Sequence, residues 1–361
     1  MKPPFRADQV GSLLRPRELA EARKQFKEGK LDAAALKAVE DRCILEAVRR
    51  QEAAGLQSIT DGEMRRDWWH LDFMTQLDGV TAIVNPGPKF GGTEEQPPIP
   101  SVTGRIGCSR PIFVDHFKYL KSVTKETPKL TIPSPAMLHL RGGRSSISKD
   151  VYPDLAAFWA DTAAAYRKAI RQVAEAGCTY LQLDDVSFSY LCDPKIQDTA
   201  RKNGDDPAKL PRQYADAVSA AVKDRPAGMT ITMHTCRGNF KSSWVASGGY
   251  EAVAEAMFSS DVDAFFMEFD DERSGTFEPL RYLPRGKKVV LGLVTTKVGQ
   301  LEDKATLRRR IEQAAKFVPL EDLCLSPQCG FSSTHHGNAL SMDEQWRKLE
   351  LVVEVAREVW G

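Results

Sequence analysis

The chain has 361 residues, 42% of them hydrophobic, with 50 Lys and Arg against 49 Asp and Glu and a net charge of +1. That length suits one large domain or two ordinary ones, and so even a charge balance gives no electrostatic case for nucleic acid or an acidic membrane as the main partner. No apolar run approaches the roughly 20 residues of a bilayer-crossing helix, and Met1-Lys2-Pro3-Pro4-Phe5-Arg6 lacks the apolar centre of a signal peptide; a cytoplasmic protein is expected, with its seven scattered cysteines as thiols or ligands.

A first strand is expected over 7–12. Leu36, Val39, Cys43, Ile44, Ala47 and Val48 fall at helical spacing, and Gly55 stops that helix. The run 56–63 then reads as a strand ending in the acids Asp61 and Glu63. Residues 84–111, with Pro86, Pro88, Pro97, Pro98, Pro100 and Pro111 among Gly87, Gly91 and Gly92, read as a long loop or irregular hairpin inserted on a βα connection. A strand over 129–133 follows. The next helix carries Tyr152, Leu155, Phe158, Trp159, Tyr166, Ile170 and Val173 and ends at Gly177, before a strand over 179–186. Residues 187–212 form a second insertion of mixed polarity. Strands are expected over 229–236, 264–269, 288–294 and 323–329, and a helix over 341–359 closes the chain. These β/α alternations predict an α/β fold, a (β/α)8 TIM barrel with inserted βα loops, as one catalytic domain over 1–361. Runs rich in Leu, Ile and Val suit parallel strands covered on their outer face.

Three of these strands end in metal-capable side chains: Ile231-Thr232-Met233-His234-Thr235-Cys236, Ala264-Phe265-Phe266-Met267-Glu268 and Leu323-Cys324-Leu325-Ser326-Pro327-Gln328-Cys329. His234 and Cys236 are two apart and share one face of a regular strand. Barrel enzymes gather chemistry where strands end, so His234, Cys236, Glu268 and Cys329 are expected to form one zinc site. A lone Cys or His on an apolar strand is more often core filling. Glu268 argues against that reading, because ionised carboxylates are rarely buried without a partner. Two thiolates and a carboxylate leave zinc electron-rich and a weak activator of water. Such a centre suits binding a substrate thiol as its nucleophilic thiolate, with a closed structural zinc site as the competing reading. Cys43, Cys108, Cys178, Cys192 and Cys324 read as core or loop cysteines.

His234-x-Cys236, Glu268 and Gln328-Cys329-Gly330, with Val10-Gly11-Ser12, Asp61-Gly62-Glu63 and Gln182-Leu183-Asp184-Asp185, resemble in order the cobalamin-independent methionine synthase family, in its catalytic C-terminal barrel. The resemblance implies zinc on His234, Cys236, Glu268 and Cys329. It implies a thiol amino-acid pocket in which Gly11 and Ser12 hold a carboxylate and Glu63 and Asp184 hold the ammonium. The implied reaction is methyl transfer to homocysteine, giving methionine, from 5-methyltetrahydrofolate or another small methyl donor. The length is that of a single-barrel branch, which includes epoxyalkane–coenzyme M transferases; thiol addition to an epoxide and a non-catalytic zinc-binding barrel are the alternatives. The family's catalytic histidine on the strand-seven loop is missing from Leu291-Gly292-Leu293-Val294-Thr295-Thr296-Lys297. His335 and His336 are therefore the expected proton donors, beside Asp184. Arg15, Arg65 and Arg66 are candidates for an anionic tail, and Trp68 and Trp69 for stacking on a pterin. No nucleic-acid or membrane partner is expected, and a homodimer stays open.

Overall fold

The structure, a computed structural model, describes residues 2–84 and 97–361. Among the described residues nine strands run in chain order: β1 (Ser58–Ile59), β2 (Asp78–Ile83), β3 (Ile99–Gly107), β4 (Thr127–Pro133), β5 (Tyr180–Asp185), β6 (Thr230–Thr235), β7 (Ala264–Glu268), β8 (Lys288–Val294) and β9 (Leu323–Pro327). Seven of them form one parallel sheet in the order β1-β4-β5-β6-β7-β8-β9. Residues of β5, β6, β7 and β9 are buried throughout, as a parallel sheet with both faces covered requires.

The segment expected as a first strand closes the barrel by other means. Ala7 bridges Leu325 in parallel, and Leu325 N donates to Arg6 O at 2.8 Å. Beyond Asp8 the regular ladder stops. Interior side chains take over: Gln182 Nε2 donates to Val10 O at 2.7 Å, Thr60 Oγ1 to Gly11 O at 2.6 Å, and Lys129 Nζ to Gln9 O. Leu13 N then reaches Gly62 O at 3.0 Å. The fold is thus an α/β TIM barrel whose opening stave is held mainly by side chains.

Helix boundaries follow local chemistry. Asp32 accepts from Ala35 N to start Ala33–Ala54, and Gly55, at φ 89°, ends it in the left-handed region. Ser341 and Glu344 form a capping box at the start of Met342–Trp360. The first insertion, expected over 84–111, supplies β3 of an antiparallel hairpin whose other strand, β2, precedes it; its Pro86, Pro88, Gly87, Gly91 and Gly92 lie outside the described residues. Val80, Val102 and Ile106 of the hairpin join the main core. The second insertion folds as the short helices Ser187–Tyr190 and Pro194–Lys202 before Leu210–Val222. Among the described residues no helix is long and apolar enough to cross a membrane.

Candidate active site

Register places the site. β5 and β6 pair Asp184 with His234, so the two side chains project side by side at the strand ends. His234 Nδ1 lies 3.4 Å from Asp184 Oδ1, and its Nε2 lies 3.2 Å from Gln328 O. Gly292 of β8 lets the next strand approach, since a Cβ there would sit 2.8 Å from Gln328 Cα. That approach sets Cys329 beside Cys236, with the two sulfurs 3.3 Å apart and both thiols free. One ligand atom each from His234, Cys236 and Cys329 falls within a common 4.8 Å, and all three residues are buried.

The charges in this group are coupled. A hydrogen bond from Cys236, helped by the His234 charge, outweighs burial and brings the Cys329 thiol down to about 6. The same bond, together with burial, pushes Cys236 well above the usual thiol range. Burial works against protonated His234, but Asp184 and the Cys329 charge raise its pKa overall. Two thiols and an imidazole make a soft donor set, the kind that suits zinc.

Glu268 stands outside that cluster. Its Oε2 accepts from Arg237 N at 3.0 Å, and its Oε1 meets Arg273 Nη2 and Lys297 Nζ, each at 3.2 Å. Burial raises its pKa, but Lys297, the Arg237 N–H and Arg273 hold it below the usual carboxylate value. Lys297 comes from the loop just beyond β8, where the sequence lacks a histidine, and also lies 3.0 Å from Asp270 Oδ2.

Across the cleft stands a second acid. Glu63 has φ 57°, a left-handed conformation that costs a non-glycine residue of order 1–3 kcal/mol. Asp61 Oδ1 holds this turn by accepting from Glu63 N at 2.9 Å. Glu63 Oε1 accepts from Thr131 Oγ1 at 2.7 Å and lies 3.5 Å from Arg66 Nη1; its Oε2 is buried without a partner. Burial, with Asp184 adding to it and Arg66 opposing it, raises the Glu63 pKa to about 7. Gly11 is required beside it: at φ 142°, a Cβ would meet Thr131 Cγ2 at 2.7 Å. Ser12 Oγ accepts from Ser332 N at 3.3 Å, next to Gly330.

Ser12, Glu63, Asp184, His234, Cys236 and Cys329 line one cleft, with about 610 Å³ of empty space including its mouth. Trp68 and Trp69 line it as well. His335 and His336 do not: they pack on Trp68, at ring distances of 5.7 and 6.2 Å, one layer behind the wall. The three arginines are engaged within the fold. Arg15 donates to Glu63 O and Arg66 O at 2.9 and 3.2 Å, Arg65 pairs with Glu40 and Asp41, and buried Arg66 donates to Thr131 O at 2.7 Å. Sequence reasoning missed His70, Arg141, Tyr190, Asn239 and Phe240, which also line the cleft. They sit beyond the strand ends, Tyr190 in the short helix Ser187–Tyr190 and the others in loops. His70, directly after Trp68 and Trp69, is the one whose signal could have been read.

The chain matches the family described as cobalamin-independent synthase, catalytic domain, over residues 5–358. It is 45% identical over 363 residues to the uncharacterized protein YxjH of Bacillus subtilis (strain 168), covering 99% of this chain and 96% of that one. A methionine synthase of Saccharolobus solfataricus is 24% identical over 351 residues, 97% of this chain and 93% of the relative. Among solved structures, a candidate vitamin-B12-independent methionine synthase from Listeria monocytogenes is 39% identical with a TM-score of 0.81, covering 100% of this chain and 99% of that one. A B12-independent methionine synthase from Shewanella sp. W3-18-1, in complex with selenomethionine, shares the fold at 20% identity and a TM-score of 0.73, over 97% of this chain and 96% of that one. Matched from Phe5 almost to its end, and with strand-end residues that the resemblance had singled out now lining one cleft, the chain belongs to the cobalamin-independent synthase family, in its catalytic domain.

Proposed function

We propose that this chain is a single catalytic barrel that transfers a methyl group to the sulfur of homocysteine, giving methionine. The observation that carries this reading is the pairing, in one cleft, of a buried His234–Cys236–Cys329 cluster with the acids Glu63 and Asp184. Cys236, Cys329 and His234 would hold zinc, with Glu268 as the fourth ligand once it leaves Lys297 and Arg273. Bound there, zinc would lower the pKa of a substrate thiol so that the sulfur is anionic near neutral pH.

The chain's own groups do the rest. Asp184 orients His234 and, with the unpaired Oε2 of Glu63, receives an α-ammonium through charge-assisted hydrogen bonds. Backbone at Gly11 and Ser12 takes the α-carboxylate. The bound sulfur is thereby aimed along one line at the methyl carbon of the second substrate, a 5-methyltetrahydrofolate-type or other small donor. The S–C bond forms, the donor's bond to carbon breaks, and the leaving atom keeps the electron pair and takes up a proton. His335 and His336 stand one aromatic layer behind the cleft, where they would deliver that proton only through water.

The acid pair also weighs between acceptors. Homocysteine carries an ammonium for Glu63 and Asp184, whereas coenzyme M has none. Seven free, buried cysteines fit a reducing compartment, which supports a cytoplasmic enzyme. The test is purified, zinc-loaded protein given homocysteine or coenzyme M against 5-methyltetrahydrofolate and a small epoxide, with product masses read out. Methionine is expected from the first pair. Product from the epoxide alone would overturn the reading.

A further inference from the structure

The cleft has two layers. Its floor is made at the strand ends, where His234, Cys236, Cys329 and Asp184 meet. Its outer wall is made by loops and includes Trp69, His70, Arg141 and Asn239. His70 just precedes the short helix Leu71–Met74 and is 1% exposed. Both of its ring nitrogens are buried, and at most one of them is met from within the chain, by the Pro98 carbonyl. Trp69 covers one side of the imidazole, with ring centroids 4.7 Å apart. Asn239 Oδ1, on the same wall, is buried and unpartnered. Buried polar atoms in folded proteins are nearly always satisfied, so unmet ones around a cleft call for a partner from outside the chain. Packing alone would be served by Phe or Leu.

Burial, with the neighbouring Arg141 charge, holds the His70 pKa well below 6.5. At neutral pH the ring therefore offers one N–H and one bare nitrogen, and it carries no charge.

We propose that His70 contacts the methyl-donating substrate, hydrogen-bonding an uncharged polar edge of that molecule. This rests on the methyl-transfer reading and adds a residue to it. His70 is a binding contact on the leaving-group side, distinct from the groups that hold the thiol.

The test uses zinc-loaded wild type, His70→Phe and His70→Asn. Zinc content, homocysteine binding by calorimetry, and 5-methyltetrahydrofolate binding by tryptophan fluorescence are measured beside steady-state kinetics. In His70→Phe the KM and dissociation constant for 5-methyltetrahydrofolate should rise about tenfold or more, with homocysteine affinity and zinc content within about twofold. His70→Asn, which keeps a donor and an acceptor, should recover part of the loss. Unchanged donor KM and binding in both variants would overturn the assignment. If wild type binds 5-methyltetrahydrofolate but transfers no methyl group, and His70→Phe weakens that binding, the contact stands and the methyl-transfer reading fails. No binding by wild type overturns the contact.

Discussion

The two sides of the cleft are built by different means. The sulfur side rests on regular strands: β6, β8 and β9 bring His234, Cys236 and Cys329 together through parallel register and the close approach at Gly292. The Glu63 side rests on a turn. β1 is only Ser58–Ile59, and Glu63 reaches the cleft through a left-handed residue held by Asp61, with Gly11 tucked beneath Thr131. Register places groups with little strain, whereas a turn can hold a charge in a buried place only if surrounding contacts force it there. The first arrangement suits a metal that needs fixed donors. The second leaves an acid short of hydrogen bonds, with its pKa raised to about 7, waiting for a cation.

Breaking the sulfur side should have the largest effect. Cys329→Ser is expected to weaken zinc binding by about 100-fold or more, read by chelator competition and elemental analysis. Full zinc retention would remove Cys329 from the ligand set. Asp184→Asn should come next, because Asp184 touches both sides of the comparison: zinc affinity falls about 10-fold through a loosened His234, and KM for homocysteine rises. Glu63→Gln sharpens the contrast, with KM for homocysteine up by about 10-fold or more and zinc affinity unchanged. A parallel loss of zinc in that variant would contradict the separation of the two sides.

Glu63 should also leave a mark on stability. Its pKa rises from the usual 4.5 to about 7 in the fold, so its contribution is most favourable below about 4.5 and is lost as pH climbs through about 7. Glu63→Gln should therefore be more stable than wild type at pH 8, by about 1–3 kcal/mol in the substrate-free protein. The gain should vanish near pH 4, and urea unfolding at the two pH values measures it. The smallest effect is expected away from both walls. Arg65→Ala loses ion pairs to Glu40 and Asp41 and should cost about 1 kcal/mol without moving either KM.

The sequence made the strand ends legible because apolar runs of strand length have a sharp boundary. Each expected strand except the first appears as a strand, though 56–63 shortens to Ser58–Ile59 where Gln51 Oε1 takes Thr60 N out of the ladder. The stave over 7–12 was legible as extended chain. Its bonding was not, since it depends on Gln182, Lys129 and Thr60 from distant segments. Arg15, Arg65 and Arg66 looked alike in sequence. Their partners lie elsewhere in the chain, and only folding showed them engaged.

By itself the sequence determined the β/α alternation, the parallel strands and the places where soft and acidic side chains end them, because hydrophobic period and strand length are local properties. Tertiary structure alone decided that His234, Cys236 and Cys329 share a few ångströms while Glu268 turns to Lys297 and Arg273, and that His335 and His336 stand behind the wall His70 helps to form. Those are matters of side-chain direction and of pairing between segments far apart in the chain. Local periodicity carries no information about either.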